Sequence, residues 1–228
     1  MIGIIGAMKI EIDGLKGMMS DIKTEVISGV EYCSGKIHGR EVVVAVCGIG
    51  KVFAAICAEA MILRYGVDFV INTGVGGSLN ESLKIGDILV AEKVCQHDMD
   101  TSPIGDPKGL LSGINKIYLS CDAEWAEKIT EAAGKAGVTC RRGTVATGDQ
   151  FVNSAEEKER IVSEFEADVC EMEGGSIGHV CYINNVPFVI VRAVSDDASG
   201  MSHMDYNEFA PMAAENSIKL IEQFIKNN

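Results

Sequence analysis

Residues 68–77 read DFVINTGVGG, and that stretch decides the class of fold. The apolar, β-branched run Asp68–Asn72 has the composition of a buried strand, and the glycines Gly74, Gly76 and Gly77 are expected to end it. Just upstream, Lys51–Arg64 is rich in alanine, carries few charges and stops before Gly66, the pattern of a helix with its C-terminal punctuation. A helix feeding a fully apolar strand is the repeating unit of a parallel sheet covered by helices.

The alternation continues outward in both directions. Towards the N-terminus, Ile2–Ile5 reads as a strand and Ile10–Ser20 as a helix. Thr24–Ile27, Glu31–Ile37 and Glu41–Val46 read as strands, the last two joined by a hairpin at His38-Gly39-Arg40. Downstream, Ile88–Glu92, Arg142–Thr147, Val169–Met172 and Pro187–Val194 read as strands. Asp122–Lys135, Ser154–Glu166, Ser176–Asn184 and Asn207–Lys226 read as helices, the first two capped by Asp122 and Ser154. Residues 97–115 have prolines, glycines and little periodicity, which predicts a long loop of the kind that often carries function. The expected fold is α/β: one domain over residues 1–228, with a mixed, mostly parallel, twisted central sheet flanked by helices. The early hairpin strands are expected to make it partly barrel-like.

Composition narrows the function. Hydrophobic residues make up 47% of the 228, enough for an ordinary core, so disorder is excluded as the dominant state. With 20 basic against 33 acidic residues the formal charge is −13, which argues against general nucleic-acid binding and against anionic membranes. The eight cysteines are scattered without a C-x-x-C and several sit in apolar runs, so they read as free buried thiols. The four histidines, His38, His97, His179 and His203, form no metal-ligand spacing with them. No stretch reaches the roughly 20 apolar residues that span a bilayer, and MIGIIGAM lacks the basic start of a signal peptide. A cytoplasmic protein without membrane or nucleic-acid partners is expected.

Three glycine motifs follow predicted strands: Gly3-x-x-Gly6, Gly48-x-Gly50-Lys51 and Gly74-x-Gly76-Gly77. They read either as tight turns or as places where backbone approaches a flat or polyhydroxylated ligand at the strand ends. The second is no P-loop, because Val52 stands where a hydroxyl would hold magnesium. Acids also follow strands: Glu11, Asp149, Glu171, Glu173, Asp196 and Asp197. Each reads either as a helix N-cap or as one of several carboxylates converging on a crevice, where paired acids divide acid and base roles. Arg192, in the most apolar strand, needs one of them as a partner.

Six of these segments occur in order: GIIGAM before Glu11, CGIGK at 47–51, INTGVGG at 71–77, TGDQFV at 147–152, CEMEGG at 170–175 and VRAVSDDA at 191–198. Together, over the whole chain, they resemble the 5′-methylthioadenosine/S-adenosylhomocysteine nucleosidases, relatives of the nucleoside phosphorylases. The resemblance implies hydrolysis of the N-glycosidic bond of these nucleosides, and of 5′-deoxyadenosine, in methionine salvage. On it, Asp196 is the acid that protonates adenine towards N7, and Glu11 the base that activates water at the anomeric carbon. Glu173 holds the ribose hydroxyls with Met172. Arg192 orients water and Glu11, and Ser195 stands beside the acid. Phe151 stacks on adenine while the Val152 backbone reads its edge. Met8 and Ile49 line the alkylthio end, closed by Tyr206 and Phe209. Val75, Gly76 and Glu171 complete the substrate-binding set. Val75 stands where some relatives carry serine, and Lys9 and Ile10 replace acids often found before the catalytic glutamate.

The resemblance also implies a homodimer whose 97–115 loop nears the neighbouring site, with Pro103 and Ile104 placed to reach it. Water and carboxylates suffice for the reaction, so no metal or organic cofactor is called for. Three rival readings stay open: a phosphorylase, a nucleosidase for another adenine nucleoside such as aminofutalosine, and a non-catalytic nucleoside-binding module. The phosphorylase would need a cationic pocket, and Arg192 is the sole arginine in a motif near the expected site.

Overall fold

The computed structural model describes residues 1–198 and 202–228, with the side chains of 202–204 excepted. Among the described residues a ten-stranded mixed sheet runs in the order β10-β6-β8-β9-β5-β1-β4-β3-β2, with β7 beside β6. Its centre is parallel. The strand β1 (Ile2–Gly6) lies between β4 (Arg40–Val46) and β5 (Phe69–Ser78), and β5 is also parallel to β10 (Phe188–Asp196). Further parallel pairs join β6 (Ile88–Gln96) to β8 (Cys140–Thr147) and β8 to β9 (Val169–Glu171). Antiparallel pairs make the arm β2 (Ser20–Ile27), β3 (Val30–Ile37) and β4, whose tight turns place Ser28-Gly29 and His38-Gly39 at positive φ.

Among the described residues six α-helices cover this sheet. Against β10 and β5 lies α6 (Ser202–Asn227), flanked by α1 (Lys9–Gly17) and α3 (Ala123–Ala136). A second group pairs α2 (Lys51–Tyr65) with α5 (Gly174–Asn184), next to β1, β6 and β8. The remaining helix, α4 (Ala155–Phe165), begins at Ser154, whose side chain accepts from Glu157 N–H. Asp122 likewise accepts from Trp125 N–H, and Gly66 and Gly137 end α2 and α3 in the left-handed conformation.

Three sequence expectations change. The glycine cluster does not stop β5, which continues to Ser78 and is buried throughout. None of Gly74, Gly76 and Gly77 has positive φ, so they are strand residues rather than turn residues. Closure occurs away from the early hairpins: β5 pairs with both β9 and β10, which closes β5, β10, β6, β8 and β9 on themselves. The helix read from Asn207 begins at Ser202, and the short strand β7 (Leu119–Ser120) carries too few residues to announce itself. All eight cysteines are free, and seven are buried. Among the described residues no helix is long and apolar enough to cross a membrane.

The C-terminal end of α6 is anchored by aromatic packing. Phe224 is fully buried and meets Trp125 of α3 edge-on at 5.9 Å and Phe69 of β5 at 6.4 Å. Phe224→Ala should cost about 3–5 kcal/mol of stability by urea denaturation, because the cavity cannot collapse between a sheet and two helices.

Candidate active site

The site opens where the sheet divides. One edge of β5 is paired with β10 as far as Gly77. The other edge is paired with β1 only to Asn72, and with β9 only from Gly77. In the gap between them, Val75 N–H donates to Oε1 of Glu11 at 3.0 Å. The other oxygen, Oε2, accepts from the N–H groups of Ala7 and Met8 at 2.8 and 2.9 Å, where β1 turns into α1. Burial pushes the Glu11 carboxyl above its ordinary range, and Arg192 with the three backbone donors only partly offsets that. A Cβ on Gly74 would lie 2.6 Å from Glu11 Oε1, so a side chain there would displace the carboxylate.

Glu171 and Glu173 enter from the end of β9 and the start of α5. Glu171 accepts from the N–H groups of Glu173 and Gly174 at 3.1 and 2.7 Å, from Thr147 Oγ1, and from Arg192 Nη2. Gly50 N–H, at the start of α2, donates to Glu173 Oε1 at 2.9 Å, and Arg192 Nη2 lies 3.8 Å from Glu173 Oε2. Burial first, and the charge of Glu171 second, raise the Glu173 pKa. Asp196, at the end of β10, accepts from Ser195 Oγ at 2.8 Å and from Ala198 N–H at 3.0 Å. A Cβ on Gly77 would stand 2.8 Å from its Oδ1. The cluster Gly74–Gly77 is therefore bare because two carboxylates and β9 press against that strand.

Around these acids is a cavity of about 290 Å³. The half-exposed Phe151 meets Tyr206 edge-on, with ring centroids 5.6 Å apart. Tyr206 donates its hydroxyl to Met8 Sδ at 3.1 Å. Glu11, Glu171, Glu173 and Asp196 all line the cavity, together with Met8, Ile49, Val75 and Gly76. Phe151, Val152, Met172, Ser195 and Tyr206 complete the expected residues that it brings together.

Arg192 stands elsewhere. It is fully buried behind Glu171, bonded through Nη2 to Asn72 Oδ1 at 2.5 Å and through Nη1 to the Val191 carbonyl at 2.9 Å, and it does not line the cavity. Its partner is Glu171, and it acts on Glu11 through space rather than by contact. Asp149 and Asp197 also lie off the wall, and so does Phe209. The Asp149 carboxylate caps α2 by accepting Lys51 N–H at 2.8 Å. His97 is buried outside the lining, and the side chain of His203 lies outside the described residues.

Three lining residues escaped the sequence reading, Ala7, Gln150 and Cys170, while Gly77 was read only as part of a glycine motif. Each sits inside a quoted motif, but small or neutral side chains carry no chemical signal of their own. Val75 contributes its backbone N–H, a role that no side chain reveals. Among the described residues no cluster of His, Cys, Asp and Glu could hold a metal ion.

Comparison with known proteins adds four similarities. The phosphorylase superfamily profile matches residues 1–226. The chain is 41% identical over 226 residues to the 5′-methylthioadenosine/S-adenosylhomocysteine nucleosidase of Haemophilus influenzae (strain PittEE), with 98% of each chain covered. Its structure is similar to that of the corresponding nucleosidase from Neisseria meningitidis in complex with methylthio-immucillin-A. The TM-score is 0.96 at 34% identity, covering 100% of this chain and 99% of that one. It is also similar to futalosine hydrolase of Helicobacter pylori strain 26695, with a TM-score of 0.95 at 36% identity, covering 100% of this chain and 97% of that one.

Removing the guanidinium alone would leave Glu171 buried and unpaired. Arg192→Met should lower stability by about 3–5 kcal/mol in chemical denaturation, far more than loss of an exposed pair.

Proposed function

The chain belongs to the phosphorylase superfamily and, within it, to the 5′-methylthioadenosine/S-adenosylhomocysteine nucleosidases, and from that premise we propose how its cavity works. The protein is a hydrolase of N-glycosidic bonds. It cleaves 5′-methylthioadenosine and S-adenosylhomocysteine to adenine and the free 5-substituted ribose, and we extend this to 5′-deoxyadenosine.

One observation carries water, rather than phosphate, as the nucleophile. The described cavity wall holds four carboxylates and no lysine, arginine or histidine. An incoming phosphate would meet only like charge there, and the guanidinium behind the wall is already engaged by Glu171. Glu11 takes a proton from water, and the water oxygen bonds to the anomeric carbon. The C–N bond breaks, its electron pair leaves with adenine, and Asp196 supplies the proton at N7. Glu173 accepts from the ribose hydroxyls. Phe151 packs on the adenine face and the Val152 backbone meets its edge. Met8, Ile49 and Tyr206 face the 5′ substituent. Arg192 is a positioning residue that keeps Glu171 and Glu173 in place from behind.

We further propose a homodimer in the cytoplasm. Support comes from apolar side chains left exposed on α2 (Val52, Phe53), α5 (Ile183) and the 97–115 loop (Ile104). Pro103 and Ile104 would reach the neighbouring site. A second substrate reading, futalosine or its amino analogue, is raised by the similarity to the Helicobacter pylori hydrolase.

In phosphate-free buffer, 5′-methylthioadenosine should yield adenine and methylthioribose by chromatography. Glu11→Gln and Asp196→Asn should each lower kcat by about 10²–10⁴-fold. Release of adenine only after phosphate is added, with a ribose 1-phosphate as product, would sink the hydrolase reading. Faster turnover of aminofutalosine would select the second substrate.

Acidity provides another check. Glu11 must be ionised to accept a proton, and its folded-state pKa lies above the ordinary 4.5. On acidification kcat/KM should therefore begin to fall at a pH above the usual carboxylate range, where an unperturbed glutamate would still be charged. An acid limb at or below the ordinary value would contradict the assignment of Glu11 as base.

A further inference from the structure

Asp98 has no part in the chemistry above and does not line the cavity, yet it ties together the two segments that do. Its Oδ1 accepts Lys51 Nζ at 2.7 Å, and its Oδ2 accepts Asp149 N–H at 2.9 Å. Asp149 Oδ1 in turn accepts Lys51 N–H at 2.8 Å. These bonds close a ring through the first residue of α2, the segment after β6, and the loop between β8 and α4. Both ends of the ion pair are mostly buried, with side chains 19% and 21% exposed, so solvent screens it less than a surface pair. Burial works against the Asp98 charge, but Lys51 and the Asp149 N–H outweigh it and hold the carboxyl below its usual range.

Two members of the ring, Lys51 and Asp149, lie within two residues of the cavity wall. Next to Lys51 are Gly50, whose N–H holds Glu173, and Ile49. Next to Asp149 are Gln150, Phe151 and Val152. The residues flanking Asp98 support the same loop. His97 N–H donates to the Thr147 carbonyl at 2.9 Å, and its ring fills the space where a Cβ on Gly148 would stand. Gln96 bonds Lys51 Nζ at 3.4 Å.

We propose that Asp98, through Lys51 and Asp149, is a positioning residue that sets the spacing between the Phe151–Val152 wall and the Gly50–Glu173 wall. The proposal rests on the nucleoside reading of the cavity. A wall held in place before binding spares the nucleoside the ordering of a loop, so the ring acts on binding rather than on bond breaking. Its loss belongs in KM, with kcat little changed.

The test uses Asp98→Asn, Lys51→Met, their combination, and Lys51→Arg, in the full-length protein. Wild-type turnover of 5′-methylthioadenosine is measured first. Its absence overturns the nucleosidase reading, and amide hydrogen exchange then decides the positioning role alone. In active enzyme, Asp98→Asn and Lys51→Met should each raise KM about tenfold with kcat changed less than about threefold. The double variant should be little worse than either single one, and Lys51→Arg should recover most of the loss. Exchange at the Gly50, Lys51 and Asp149 amides should accelerate about tenfold in Asp98→Asn while the core strands stay protected. An unchanged KM in active enzyme overturns the proposal. So does exchange that is unchanged at those three amides, or that accelerates uniformly with a lowered melting temperature.

Discussion

Four carboxylates share one small cavity, and the rest of the structure is arranged so that they can be buried together. Isolated buried charges of one sign are too costly to persist. The fold offsets that cost in two ways. It buries Arg192 directly behind Glu171, with Asn72 taking another of its donors. It also aims backbone N–H groups at the acids from the starts of three helices: Ala7 and Met8 before α1, Gly50 before α2, and Glu173 and Gly174 at α5. Helix N-termini carry partial positive charge and unpaired donors, so each is a natural seat for a carboxylate.

That arrangement requires the strands to end in the right places. β1 stops at Gly6 and the antiparallel β9, which meets β5 at Ser78 and Gly77, stops at Glu171, which leaves the middle of β5 unpaired along one edge. An unpaired strand edge presents donors that need partners. Here the partner is Glu11, and the same gap opens the cavity. The bareness of Gly74 and Gly77 follows, because any Cβ would collide with the carboxylates that the gap admits.

Function draws on the same tension. A fully compensated carboxylate would be a poor base, because strong pairing lowers its proton affinity. Glu11 is held by three backbone donors and contacts no cation among the described residues, and burial leaves it more basic than an exposed glutamate. Glu171 instead takes the guanidinium, a hydroxyl and two amides. Two acids two residues apart, Glu171 and Glu173, thus take different partners: the guanidinium bonds Glu171, and the Gly50 N–H bonds Glu173.

Much of this was legible in the sequence. Apolar runs alternating with helical periods marked the α/β class, and capping residues such as Asp122 and Ser154 marked helix starts. The acids after strands were visible as a group, and the six ordered motifs assigned them to a nucleosidase site. The end of β5 was not legible, because glycine reads locally as a strand breaker and only the approach of Glu11 and Asp196 explains why it sits within a strand. Nor was the choice of partner for Arg192. Sequence demands that a buried guanidinium be paired, but several acids were equally available along the chain. Glu171 is that partner because β9 and β10 both flank β5 and bring the two residues together. Residue types and their order along the chain determined the chemistry on offer. Which acid took the buried guanidinium was decided by strand register, because pairing between segments far apart in sequence places each side chain.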